Sequence, residues 1–149
     1  MPNWCFNVVE VSHDDPALLV AMNDAFNAKA LFNTYHPMPD GVDWRKWRVA
    51  NWGVKWEPEF ESDECSSFSE PRTTLCMWFD TAWSPPIEFY DKLKSLGYNV
   101  VALYHEPLMN VIGTYNDGDL DDHSGYDDLN TVPAKLREFF NLDGMTADA

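Results

Sequence analysis

The run Thr74-Leu75-Cys76-Met77-Trp78-Phe79, then Thr81-Ala82-Trp83-Ser84-Pro85-Pro86, then Asn99 to Tyr104, sets the architecture. Leu75, Met77 and Phe79 alternate with Cys76 and Trp78, so the first run reads as a central strand with two unlike faces. Ser84 is a natural N-cap, proline is tolerated in a first helical turn, and Glu88 suits the positive end of a helix dipole. Ile87, Tyr90 and Leu93 recur at helical spacing, and Gly97 marks the helix end. Val100-Val101-Ala102-Leu103 returns the chain to strand.

Upstream, Phe6 to Val11 is Val-rich and weakly alternating, a first strand. Asp14-Asp15-Pro16 starts a helix over roughly 15–30, with Leu18, Leu19, Met22 and Phe26 on its apolar face. Residues 31–58 are full of breakers, with a basic-aromatic run, Trp44-Arg45-Lys46-Trp47-Arg48, and room for a short helix around 43–51. Residues 64–69 suit an exposed strand. Downstream, Val111 to Tyr115 is a strand able to pair with 99–104 as a hairpin. An Asp-rich loop at 116–128 and a short helix at 132–141 follow, the latter using Leu136, Phe139 and Phe140. Gly144 to Ala149 reads as a frayed end.

The predicted order is β-α-(long loop)-β-β-α-β-β-α in one domain, 1–149. It is an α+β fold: a ferredoxin-like antiparallel sheet with two helices on one face. A Trp-rich insertion occupies 31–58, and an acidic loop with a short C-terminal helix occupies 116–149.

At 149 residues and 45% hydrophobic content, the chain has enough apolar surface for a real core. The start of the sequence lacks the basic and apolar regions of a signal peptide, and no stretch nears the roughly 20 apolar residues of a membrane helix. A cytoplasmic protein is expected. Cys5, Cys65 and Cys76 include no C-x-x-C pair and read as free thiols. The net charge is -15. Direct binding to nucleic acid or to an anionic membrane is therefore disfavoured, and a basic partner protein is favoured on encounter.

Five pieces stand in order: Met1-Pro2-Asn3-Trp4-Cys5-Phe6-Asn7; Leu31-Phe32-Asn33 leading to Pro37-Met38-Pro39; Asn51-Trp52-Gly53-Val54-Lys55-Trp56; Thr81-Ala82-Trp83-Ser84-Pro85-Pro86; and Tyr104-His105-Glu106-Pro107 with Gly113. Together they resemble the YubB-type ferredoxin-like family of small phage and plasmid proteins, over roughly residues 1–115. The resemblance implies a ferredoxin-like fold and a mobile-element setting. It implies no catalytic residues.

Two sets of residues are candidates for function. Asn51, Trp52, Lys55, Trp56 and Trp83, with Tyr104 and Glu106, are expected to line a binding surface, Lys55 lying among indole faces. The competing expectation is that these tryptophans pack the long loop onto the sheet. The second set is acidic. Glu57, Glu59, Glu61, Asp63 and Glu64 form one stretch; Asp117, Asp119, Asp121, Asp122, Asp127 and Asp128 form another. With Glu70, these hold twelve of the 25 acidic residues. Gathered on one face they would imitate a phosphate track. The second stretch reads as a solvated acidic loop in preference to a calcium loop, because the position that requires glycine is Asp122 and the normally aliphatic position is Ser124.

No catalytic motif occurs; His13, His36, His105 and His123 are scattered, and His105-Glu106 would point to opposite strand faces. No cofactor or metal is expected. The expected function is non-catalytic: a phage- or plasmid-encoded accessory protein binding a host or defence protein with a basic surface. The alternatives are a nucleic-acid mimic, and a small-ligand binder or enzyme centred on the Trp cassettes. Oligomeric state is not fixed by the sequence.

Overall fold

The computed structural model describes residues 3–61, 64–70 and 73–142. In chain order these form β1 (Trp4–Ser12), α1 (Pro16–Asn27), α2 (Leu31–Tyr35), α3 (Trp44–Trp52), β2 (Ser66–Phe68), β3 (Thr74–Ala82), α4 (Ile87–Ser95), β4 (Asn99–Glu106), β5 (Val111–Asn116), β6 (Asp119–Asp122) and α5 (Ala134–Phe139). The strands make one sheet in the order β2-β3-β1-β4-β5-β6, and every neighbouring pair is antiparallel. This is the expected α+β class, with five α-helices among the described residues.

Alternation along the strands builds two unlike faces. Val9 and Val11, Leu75, Met77 and Phe79, and Val100 and Ala102 point to one side and are buried. There they meet Leu19, Met22 and Phe26 of α1, Phe32 of α2, Trp52 of α3, and Phe89, Tyr90 and Leu93 of α4 in one core. The opposite face is covered at the β4–β5 end alone. Leu103 and Ile112 pack there against Val132, Leu136 and Leu142, a second cluster built by the segment around α5.

Several expectations change in detail. Asp15 caps α1 as its position demands, accepting from the Ala17 amide at 3.0 Å. Leu18 lies off the buried stripe and is exposed, as is Phe139 of α5. Ser84 does not cap α4. Pro86 takes the N-cap place without a side-chain bond, and the Ser84 hydroxyl, two residues too early, donates to the Gly53 carbonyl at 3.3 Å.

The 31–58 insertion contains α2 as well as the expected short helix. α2 is five residues long and borrows its cap from far along the chain: Glu57 accepts from the Phe32 and Asn33 amides at 2.7 and 2.9 Å. The Asp-rich segment is partly strand. Asp117-Gly118, both at positive φ, make the tight turn that joins β5 to β6. The frayed end expected at 144–149 lies outside the described residues.

Candidate functional site

The Trp cassettes divide into packing and surface. Trp52 has 0% exposure, and its indole N–H donates to the His36 carbonyl at 2.9 Å. Phe32 and Trp47 rings lie 5.5 and 5.9 Å away, and the Arg48 guanidinium sits 4.9 Å over its face. Trp52 therefore ties α2 to α3 and is sealed from any partner, a correction to its place on a binding surface. Asn51 is half-buried and donates to the Trp47 carbonyl at 2.8 Å. Lys55 lies 4.8 Å over the Trp56 ring, and Trp56 is partly exposed.

Tyr104 and Glu106 are also buried. Both Glu106 oxygens accept backbone amides, from Leu108 and Met109 at 2.8 Å each, so this carboxylate shapes the β4–β5 turn. Tyr104 donates to Asp122 at 2.9 Å across the sheet. The Tyr104 ring also lies where a Cβ on Gly113 would go, which is why that position has no side chain. Both residues are structural where a binding role was expected.

Trp83 is different. It is 49% exposed at φ +72, a region a bulky side chain rarely enters. The Ser84 amide donates to the Ala82 carbonyl at 2.9 Å, closing a three-residue turn around Trp83. A buried chain holds that turn from below. Asn7 donates to the Cys5 carbonyl and to the Thr81 hydroxyl, Thr81 donates to the Ser84 carbonyl at 2.6 Å, and the Tyr90 hydroxyl donates to Asn7. Cys5 lies in the same region; burial, then the Glu106 charge, pushes its thiol up to about 12, so it is an inert thiol at neutral pH.

The acidic residues do not form one track. Glu57 is the α2 cap, half-buried, and burial raises its pKa against the two amides it accepts. Asp117 lies in the β5–β6 turn, Asp119, Asp121 and Asp122 lie on β6, and Asp128 accepts from the Asn130 amide in a 3-10 turn at 129–131. Asp127 and Glu64 are exposed. Asp63 lies outside the described residues. Burial opposes ionisation of Asp122, but bonds from Ser124 and Tyr104 outweigh it and hold its carboxyl below the usual range. Glu59 meets β3 on the β2 side of the sheet, whereas β6 is the far edge. Strand spacings of about 4.8 Å put the two edges roughly 24 Å apart.

The first acidic stretch belongs to a groove that the sequence did not reveal. Glu59 and Asp80 exchange both backbone hydrogen bonds at 2.8 Å, extending the β3 edge. Phe60 turns inward to stack on Phe26 at 4.4 Å, so alternation sends Glu59 and Glu61 the other way. They rim a cavity of about 410 Å³ whose floor holds Phe6, Val8 and Trp78 on the uncovered face of β1 and β3. Phe6 is 48% and Trp78 39% exposed. Asp80 stands among them. Burial, then Glu61 and Glu59, raises its carboxyl above the usual range. Among the described residues no Lys, Arg or His forms an ion pair with it. The alternating Phe6-Val8 and Trp78-Asp80 pattern was the available signal; the first strand's outer face combines two apolar residues with Glu10.

The raised Asp80 carboxyl makes stability depend on pH. In the folded chain Asp80 holds its proton to higher pH than in the unfolded chain, so ionised Asp80 costs stability at neutral pH and the cost fades as pH falls through its raised pKa. Asp80→Asn is expected to raise the thermal midpoint at pH 7, with a smaller gain at acid pH, by calorimetry at both.

His105 carries the opposite sign. It is 4% exposed on the outer face of β4, with the Phe140 ring 5.1 Å away and no hydrogen-bond partner for Nε2. Burial lowers its pKa, against the Glu106 charge. The folded chain keeps it neutral, so its contribution is full above about pH 6.5 and is lost as pH falls below that. His105→Leu is expected to remove this loss. Denaturant midpoints at pH 7.5 and 5.5 should then show wild type giving ground to the variant on acidification.

No family model, characterised protein or solved structure matches this chain. Among the described residues no helix is long and apolar enough to cross a membrane, and no group of His, Cys, Asp and Glu is placed to hold a metal ion.

Proposed function

We propose that this chain is a non-catalytic cytoplasmic binding protein whose groove at Asp80 receives a basic segment of a partner protein. The observation that carries this reading is the Glu59–Asp80 pair. Like charges directly opposite in a sheet are destabilising, here with Glu61 beside them and no Lys, Arg or His among the described residues paired with Asp80. Aromatic faces at Phe6 and Trp78 suit a Lys or Arg side chain, and the three carboxylates suit its charge. A host or defence protein with a basic surface fits that chemistry.

The strand order β4-β1-β3-β2, with α1 and α4 as its two crossings, supports a ferredoxin-like core. The phage or plasmid setting rests on the resemblance of the sequence motifs. Separation of the two acidic stretches across the sheet favours groove binding over imitation of a phosphate track.

The test is titration with an Arg-containing peptide against wild type, Asp80→Asn and Glu59→Lys, at low and high salt. Binding should weaken at least about tenfold in Glu59→Lys and fall with ionic strength. A bound cation should also lower the Asp80 pKa, visible by NMR as proton release. Equal binding in all three proteins would overturn the proposal.

A further inference from the structure

We infer that the groove has an occupant within the chain's own chemistry: helix α3 of a second copy. The inference rests on the groove being a site for a basic segment. Four of the ten basic residues, Arg45, Lys46, Arg48 and Lys55, lie on or just after α3. Arg45 and Lys46 are exposed, and Val49 and Ala50 one turn later share their shallow apolar surface. Trp44 is also exposed, with Arg45 and Arg48 guanidinium groups 5.1 and 5.2 Å over its ring. α3 thus presents cations, an indole and small apolar groups together. The groove presents carboxylates around an aromatic floor. One surface is the complement of the other.

A single copy cannot join them. α3 packs on α4 in the layer that covers the buried sheet face, and the groove opens on the opposite face. The contact must therefore be head-to-tail between copies. Such an interface uses two different patches, so each copy keeps one free and assembly continues into a ring or filament. The net charge of -15 opposes this at long range. Repulsion between whole molecules is screened beyond about 8 Å at 0.15 M salt, while desolvated contact pairs are screened less. Association should therefore be strongest at intermediate ionic strength, weaker in very dilute buffer and weaker again at about 1 M, where the Debye length is about 3 Å.

The arrangement also links assembly to function. A basic partner entering the groove would displace α3 of the neighbouring copy, so partner binding should dissolve the assembly.

The experiment is sedimentation velocity on the full chain. Wild type at intermediate salt should at least roughly double its weight-average mass with rising concentration. Arg45→Glu with Lys46→Glu should stay monomeric, as should Glu59→Lys with Glu61→Lys; all four side chains are exposed, and circular dichroism checks that both variants fold. The decisive sample is their equimolar mixture. Each variant retains one intact patch, but only the reversed charges can then meet each other at the second, so a basic groove faces an acidic helix and association should return. A third variant carrying all four changes should associate for the same reason. An Arg-containing peptide should return wild type to monomer. A wild type that stays monomeric at every salt concentration while still binding that peptide would overturn self-assembly and leave the groove reading standing. Association that survives either double variant would place the interface elsewhere and overturn the inference.

Discussion

Trp52→Ala is expected to remove about 3–5 kcal/mol of stability, the range for truncating a buried large aromatic. That is about a fifth or more of what a domain of this kind commonly has. Trp52 has no exposed surface, so the whole indole becomes a cavity. Its neighbours come from different elements, Phe32 on α2 and Trp47 on its own helix, and neither can close the gap without moving its helix. The His36 carbonyl also loses its donor. Trp52→Phe should cost less, because it refills part of the volume and forfeits mainly that bond. Urea denaturation of the three proteins separates the two contributions. A loss below about 1 kcal/mol for Trp52→Ala would contradict a closely packed site.

Asn7→Ala is the second large effect, expected at about 2–4 kcal/mol. Asn7 spends its amide on the Cys5 carbonyl and Thr81 hydroxyl and its oxygen on Tyr90, all inside the core. Truncation leaves the Tyr90 hydroxyl without its acceptor in a buried position, where a missing partner costs more than a present one contributes. The consequence should travel to the surface. Thr81 positions the Ser84 carbonyl, so the turn at Trp83 should loosen before the sheet does. Hydrogen exchange at the Ser84 amide should accelerate in Asn7→Ala relative to amides in the middle of β3. Uniform acceleration across the sheet would mean that the network supports the whole fold rather than the turn.

The strands and helices with strong periodicity were legible. Leu75-Met77-Phe79 and Leu19-Met22-Phe26 each carry one period over several residues, and burial follows it. Elements decided by distant partners were not. α2 is too short for its own pattern and exists because Glu57, far along the chain, caps it. β6 was hidden by its acidity, although Asp117-Gly118 is a strong hairpin dipeptide. The cassette residues split for the same reason. Trp52 and Trp83 look alike in sequence, and only the third dimension puts one in the core and the other on a turn. The groove was illegible because its carboxylates, Glu59 and Glu61 on one segment and Asp80 on another, are distant in sequence and joined by one backbone pair.

A sheet that ends in an unpaired strand invites another chain to continue it. Here one edge, β2, spans only three residues, and the other, β6, is Asp119-Leu120-Asp121-Asp122 with every side chain exposed. An incoming strand would have to stack its backbone beside a row of like charges. The aspartates thus act as a terminator for the sheet's growth. Replacing Asp119 and Asp121 with threonine would remove that terminator and leave the β6 edge an open template for fibre formation.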